Sequence, residues 1–135
     1  MNEIVIFDTS VLIDNQRTAL HSKRMADCPG RIRNSSVVLA ELWRGATVAS
    51  ERRFVRGLQE SRPILVPTGN NWLESGQILA RIRDDTGFEA AKLRDLHFDV
   101  LIALTARAHG ARLITTNRAD FELIRKYRDF RLEVW

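Results

Sequence analysis

The sequence predicts an α/β domain built on a central, mostly parallel sheet of four to five strands flanked by helices. Three observations predict it. Short, uninterrupted apolar runs such as Ile4-Val5-Ile6-Phe7 read as strands buried on both faces, as parallel sheets require. Segments with helical spacing of apolar residues alternate with these runs. Proline and glycine punctuate the boundaries at Pro29-Gly30, Pro63, Pro67 and Gly110. Strand–helix alternation of this kind favours parallel strands joined by right-handed crossovers.

The elements follow in order. The strand at residues 4–7 stops at Asp8-Thr9-Ser10, a helix N-cap signature. Residues 17–27 read as a helix before Pro29-Gly30. Ile32 to Ser35 reads as a second strand, after which Ser36 caps a helix through Ala46. A helix over Glu51–Gln59 ends near Pro63. Ile64-Leu65-Val66 forms a third strand, stopped by Pro67. Trp72, Ile78, Leu79 and Ile82 give residues 71–85 helical spacing. The next helix spans roughly Phe98–His109 and ends at Gly110, a good C-cap residue. Leu113-Ile114-Thr115 is a fourth strand, Phe121–Tyr127 a last helix, and Leu132-Glu133-Val134 an edge strand.

At 135 residues the chain has the length of one domain, and it shows no repeat, low-complexity tract or linker. Its 44% hydrophobic and 28% charged residues exclude wholesale disorder. The longest stretch free of charged and turn residues, Val100 to Ala106, is too short to span a bilayer. Met1-Asn2-Glu3-Ile4 has neither a basic nor a long apolar segment, so no signal peptide is expected. The single cysteine, Cys28, can form neither an internal disulfide nor a cysteine zinc site. Both facts suit the cytoplasm. The formal net charge is +4, and Lys23, Lys92 and Lys126 are the only lysines, leaving 18 arginines among 21 basic residues. Arginine's planar fork suits phosphate, so a nucleic-acid partner accounts for the excess. A GC-rich genome accounts for it equally well.

Four acidic positions carry the chemistry. Asp8 falls at the carboxyl end of the first strand, where it also serves as a plain helix cap. Glu41 shares a helix face with Val37 and Val38, which is costly for a carboxylate without a partner. A salt bridge to Arg44 is the structural explanation. Asp99 faces the apolar side of its helix with Ile102 and Ala103, near the expected N-terminus, where the helix dipole would favour it. Thr116, Asn117 and Asp120 follow the fourth strand, where capping alone would explain them. Each structural explanation is adequate singly. Together the four acids would converge in a doubly wound sheet, and their repulsion would call for a cation. An all-oxygen cluster selects a hard divalent ion, Mg²⁺ or Mn²⁺. His21, His97 and His109 lack the spacing of a metal pair and read as structural or surface residues.

The sequence resembles PIN-domain ribonucleases, and most closely the VapC-type toxins of bacterial toxin–antitoxin pairs. The resemblance runs through Ile4-Val5-Ile6-Phe7-Asp8-Thr9-Ser10-Val11-Leu12-Ile13-Asp14 and Val37-Val38-Leu39-Ala40-Glu41-Leu42. It continues through Asp99-Val100-Leu101-Ile102-Ala103, Ala106 and His109-Gly110 to Leu113-Ile114-Thr115-Thr116-Asn117 and Asp120-Phe121. It implies a single PIN-like domain over residues 1–135 and Mg²⁺-dependent cleavage of RNA, with Mn²⁺ as a substitute, leaving 3′-hydroxyl and 5′-phosphate ends. It implies Asp8, Glu41, Asp99 and Asp120 as the catalytic acids, with Asp8 and Asp99 as direct metal ligands. Thr9, Ser10 and Thr116 would supply hydroxyls and Asn117 a polar side chain. Some members carry an acid at the position of Asn117, so either Asp120 or Asn117 completes the site.

Arg44 and Arg118 are candidates for the RNA backbone, with Arg52, Arg53 and Arg56 behind them. The implied partners are RNA, a cognate antitoxin and a second copy of the chain, as a homodimer or a toxin–antitoxin hetero-oligomer. Trp43, Trp72 and Phe54 suit either a partner groove or the core. Two other enzymes on similar sheets fit poorly. Ser10 stands where a haloacid-dehalogenase-like phosphatase needs its second aspartate. A receiver domain needs paired acids at Asp8 and a lysine in place of Arg118. The alternative from another class is a non-catalytic PIN fold that binds RNA or protein. The presence of all four acids favours the enzyme.

Overall fold

The computed structural model describes residues 3–135. Five strands form one sheet: β1 (Ile4–Phe7), β2 (Arg31–Ser35), β3 (Ile64–Leu65), β4 (Arg112–Thr115) and β5 (Arg131–Val134). Their spatial order is β3-β2-β1-β4-β5, and every pairing is parallel. The chain therefore winds outward from β1 to β3, then returns to lay β4 along the other side of β1. β1 and β4 flank the point where the winding reverses, which is where ligands bind in open α/β sheets. Seven helices accompany the strands: α1 (Thr9–Thr18), α2 (Ser22–Asp27), α3 (Ser36–Gly45), α4 (Ala49–Ser61), α5 (Gly69–Thr86), α6 (Ala90–Ala108) and α7 (Arg118–Arg125).

The central strands explain their own apolar runs. Val5, Ile6 and Phe7 of β1 and Leu113 and Ile114 of β4 are all buried. α6 supplies the densest part of the core, because Val100 to Ala106 is buried without a break. α6 packs against α3, α5, α7 and β4 at once. A helix enclosed on so many sides is apolar around most of its circumference.

Several element boundaries differ from the sequence expectation, α7 among them (Arg118–Arg125 rather than Phe121–Tyr127), and three of the differences matter most. The helix expected at 17–27 is two helices. α1 starts directly after Asp8, and Ala19 takes a left-handed conformation (φ 55°) that ends it. Neither glycine nor proline marks that break. The cap of α3 is Ser35 rather than Ser36: the Ser35 hydroxyl accepts the N–H groups of Val37 and Val38 at 3.2 and 3.3 Å. The helix expected from Phe98 starts eight residues earlier, at Ala90. Asp99 therefore lies in mid-helix, away from the favourable end of the dipole, and the dipole explanation for it fails. α5 spans the expected segment and opens on a reciprocal cap. Thr68 Oγ1 accepts the Asn71 N–H, and Asn71 Oδ1 accepts the Thr68 N–H.

The three histidines make local contacts, and His109 is exposed. His97 pairs with the buried Ser75 hydroxyl at 3.0 Å, His109 Nδ1 lies 3.0 Å from the Thr105 carbonyl, and His21 packs on the Trp135 ring. Trp43 and Phe54 pack against the core, while Trp72 is half exposed.

Candidate metal centre

Strand order carries the first acid to the site. Asp8 directly follows β1, and its backbone N–H donates to the Ile114 carbonyl of β4 at 2.8 Å. That bond places Asp8 beside Thr115. The Thr115 hydroxyl donates to Asp8 Oδ2 at 2.8 Å, and the Ser10 hydroxyl donates to the same oxygen at 2.8 Å. Oδ1 carries neither of these donors. Asp8 occupies the N-cap position of α1 without capping it through its side chain, so capping does not account for it. A buried carboxylate with its charge uncompensated is otherwise expensive.

Glu41 comes from α3 and Asp99 from α6, two helices in contact. Asp8, Glu41 and Asp99 each offer an oxygen, and these oxygens all lie within 4.8 Å of one another. The Thr9 hydroxyl donates to Glu41 Oε1 at 2.8 Å. Arg44 is not the partner expected for Glu41. Its guanidinium lies over the Phe98 ring, 5.4 Å from the centroid.

The electrostatics follow from burial and crowding. Burial pushes the Asp8 carboxyl above its ordinary range, and the Thr115 and Ser10 hydroxyls pull it partly back. Burial also raises Glu41, with the Asp8 charge adding to the rise and Thr9 and Arg44 opposing it. Asp99 is pushed up to about 8, first by burial and then by the charges of Asp8, Glu41 and Asp120, against the pull of Lys92. Three carboxyls that resist ionisation side by side form a natural seat for a cation. The donor set is oxygen throughout, so the residues fit a hard divalent ion of the Mg²⁺ or Mn²⁺ class.

The other expected residues take varied places. Asp120, in the first turn of α7, stands outside the group of three. Lys92 Nζ donates to its Oδ1 at 3.1 Å, and Asn117 Nδ2 donates to its Oδ2 at 3.2 Å. Thr116 contributes its backbone N–H, to Ser10 Oγ at 3.1 Å. The threonine hydroxyl on Asp8 is that of Thr115 rather than Thr116. Arg118 is exposed and paired with Glu122 at 3.1 Å. Arg52 reaches the Thr47 carbonyl, and Arg56 stacks over Trp43. Sequence reading missed two residues here. The signal for Thr115 was its place at the end of the strand beside Asp8. The signal for Lys92 was its spacing, seven residues before Asp99 on one helix.

Known proteins agree with this architecture. The chain aligns over its whole length with 99% of a chain in the DNA-bound VapBC complex from Salmonella typhimurium, at 26% identity and a TM-score of 0.72. VapBC2 from Rickettsia felis, bound to a promoter DNA fragment, gives 21% identity and 0.72 over 98% of each chain. VapBC-1 from nontypeable Haemophilus influenzae gives 23% and 0.70, again over 98% of each chain. Below 25% identity these last two likenesses bear on the fold alone. No curated protein matches the chain by sequence. The family model of the PIN domain matches residues 5–127, nearly the whole length, and the chain belongs to the PIN domain family.

Proposed function

We propose that this protein is a Mg²⁺-dependent endoribonuclease and the toxin of a VapBC-type toxin–antitoxin pair. The carrying observation is the convergence of Asp8, Glu41 and Asp99, from three separate elements, on one point within 4.8 Å. Full-length likeness to a chain of the Salmonella VapBC complex supports the toxin reading. PIN-domain nucleases generally work with divalent metal ions, and this trio of oxygens suits one. On this reading residues 1–135 act as one catalytic domain in the cytoplasm, alongside the RNA substrate and a cognate antitoxin that silences the site. No helix among the described residues is long and apolar enough to cross a membrane.

Each residue has a definable task. Asp8, Glu41 and Asp99 would hold the ion. Ser10 and Thr115 fix the Asp8 carboxylate through Oδ2, and Thr9 fixes Glu41 through Oε1. Asp120 adds negative charge behind Asp99, and Asn117 orients it. When bound, the ion supplies Lewis-acid stabilisation of charge on the phosphoryl oxygens and makes water a better nucleophile. Arg44 and Arg118 meet the backbone phosphates of the RNA.

The test is cleavage of total cellular RNA by purified, antitoxin-free protein, with Mg²⁺ or with EDTA, beside Asp8→Asn and Asp99→Asn. Metal-dependent cleavage by the wild type, lost in both folded variants, is expected. No cleavage of varied RNAs by folded, metal-loaded wild type would turn the reading to a non-catalytic RNA- or protein-binding PIN fold.

A further inference from the structure

On the metal-dependent reading above, we propose that Lys92 stands in the place of a second metal ion, so that this site takes one divalent ion per chain. Asp120 is the fourth acid of the neighbourhood, yet both of its oxygens are already engaged, by the Lys92 ammonium at 3.1 Å and the Asn117 amide at 3.2 Å. Lys92 lies two helical turns before Asp99 on α6, so both project along one side of that helix. Its charge acts on Asp99 as well as on Asp120. The ammonium also lies 6.0 Å from the centroid of the Phe88 ring.

The choice of side chain is informative. The chain uses arginine for 18 of its 21 basic residues but lysine here. An ammonium is a compact, strongly hydrated point charge, the closest a side chain comes to a hard cation. One divalent ion and Lys92 offset three of the four carboxylate charges. A second divalent ion, with Lys92 in place, would leave the site net positive and would compete for the Asp120 oxygen that the ammonium occupies.

Counting bound Mn²⁺ tests this without reference to activity. The metal-stripped chain is titrated with Mn²⁺ and the free ion is followed by its electron paramagnetic resonance, with folding of each variant checked by thermal melting. Wild type and Lys92→Arg are expected to take one ion. Lys92→Met is expected to take two, the second more weakly, and Lys92→Met with Asp120→Asn to return to one. Two ions in the wild type, or a single ion in folded Lys92→Met, would overturn the role of Lys92 and leave the nuclease reading standing. No uptake by the wild type at millimolar Mn²⁺ would overturn both.

Discussion

Asp99→Asn should stabilise the metal-free protein, and the gain should grow with pH. The substitution keeps the shape of the side chain and removes a charge that burial and three neighbouring carboxyls oppose. In the fold Asp99 holds its proton up to about 8, whereas its ordinary value is 3.8. Between those limits the folded chain binds a proton that the unfolded chain has lost, so wild-type stability declines as pH rises. The stability from this group is complete below 3.8 and gone once pH passes about 8. At about 1.4 kcal/mol per pH unit the full span corresponds to about 6 kcal/mol. Water entering the site as charge builds there relieves part of this, leaving about 3 kcal/mol. For a domain of this size that is about 10 °C in melting temperature. The assay is thermal melting of both proteins in EDTA from about pH 4.5 to pH 9. The Asn variant should be close to wild type at the acid end and should lead by a widening margin that levels off above about pH 8. Adding Mg²⁺ to the wild type at about 1,000 times its dissociation constant should reverse the order, since such saturation stabilises a site's owner by about 4.1 kcal/mol. A gap that is flat with pH, or a less stable Asn variant at pH 9, would refute the crowded-acid account.

Other substitutions probe the supports. Thr9→Val removes the hydroxyl that holds Glu41 and is expected to lower Mn²⁺ affinity and RNA cleavage about tenfold. Because that hydrogen bond lowers the Glu41 pKa, the acid limb of the pH–rate profile should also move to higher pH. Ser35→Ala removes the α3 cap and should cost about 1 kcal/mol, or about 4 °C in melting temperature, whereas Ser36→Ala should cost less than about 0.5 kcal/mol. Gly30→Ala should destabilise by at least about 2 kcal/mol in denaturant titrations, because Gly30 has φ +115° and a Cβ there would meet the Glu3 carbonyl oxygen at 2.5 Å.

The sequence made some of this legible and hid the rest for physical reasons. β1 was plain because it is buried on two faces, which leaves no polar residue to break its apolar run, and the buried Leu113-Ile114 pair marks β4 in the same way. Glu41 and Asp99 stood out because each interrupts an apolar stripe, a costly placement that needs a reason. The start of α6 was obscured because residues 90–97 include Lys92, Arg94, Asp95 and His97, whose exposed faces carry little periodic signal. The end of α1 rests on the backbone of Ala19, a residue with no turn preference to announce it. Adjacent serines at 35 and 36 offer two equivalent caps, and only the backbone decides between them. The bonds from Thr115 to Asp8 and from Lys92 to Asp120 depend on strand register and helix packing across long sequence separations, which local pattern does not encode.

The return of β4 to the side of β1 has a consequence for how the protein is made. During synthesis Asp8 emerges near the start, Glu41 follows, and Asp99 comes only in the last third of the chain. Thr115, which holds Asp8, and β4, which closes the open flank of β1, come later still. Parallel pairing over such separations is slow to form, because the intervening loop must close first. A chain that ends before Asp99 therefore has no acid trio to assemble. On the toxin reading, the translation machinery would be spared by its own unfinished product, and an antitoxin would need to meet only completed molecules.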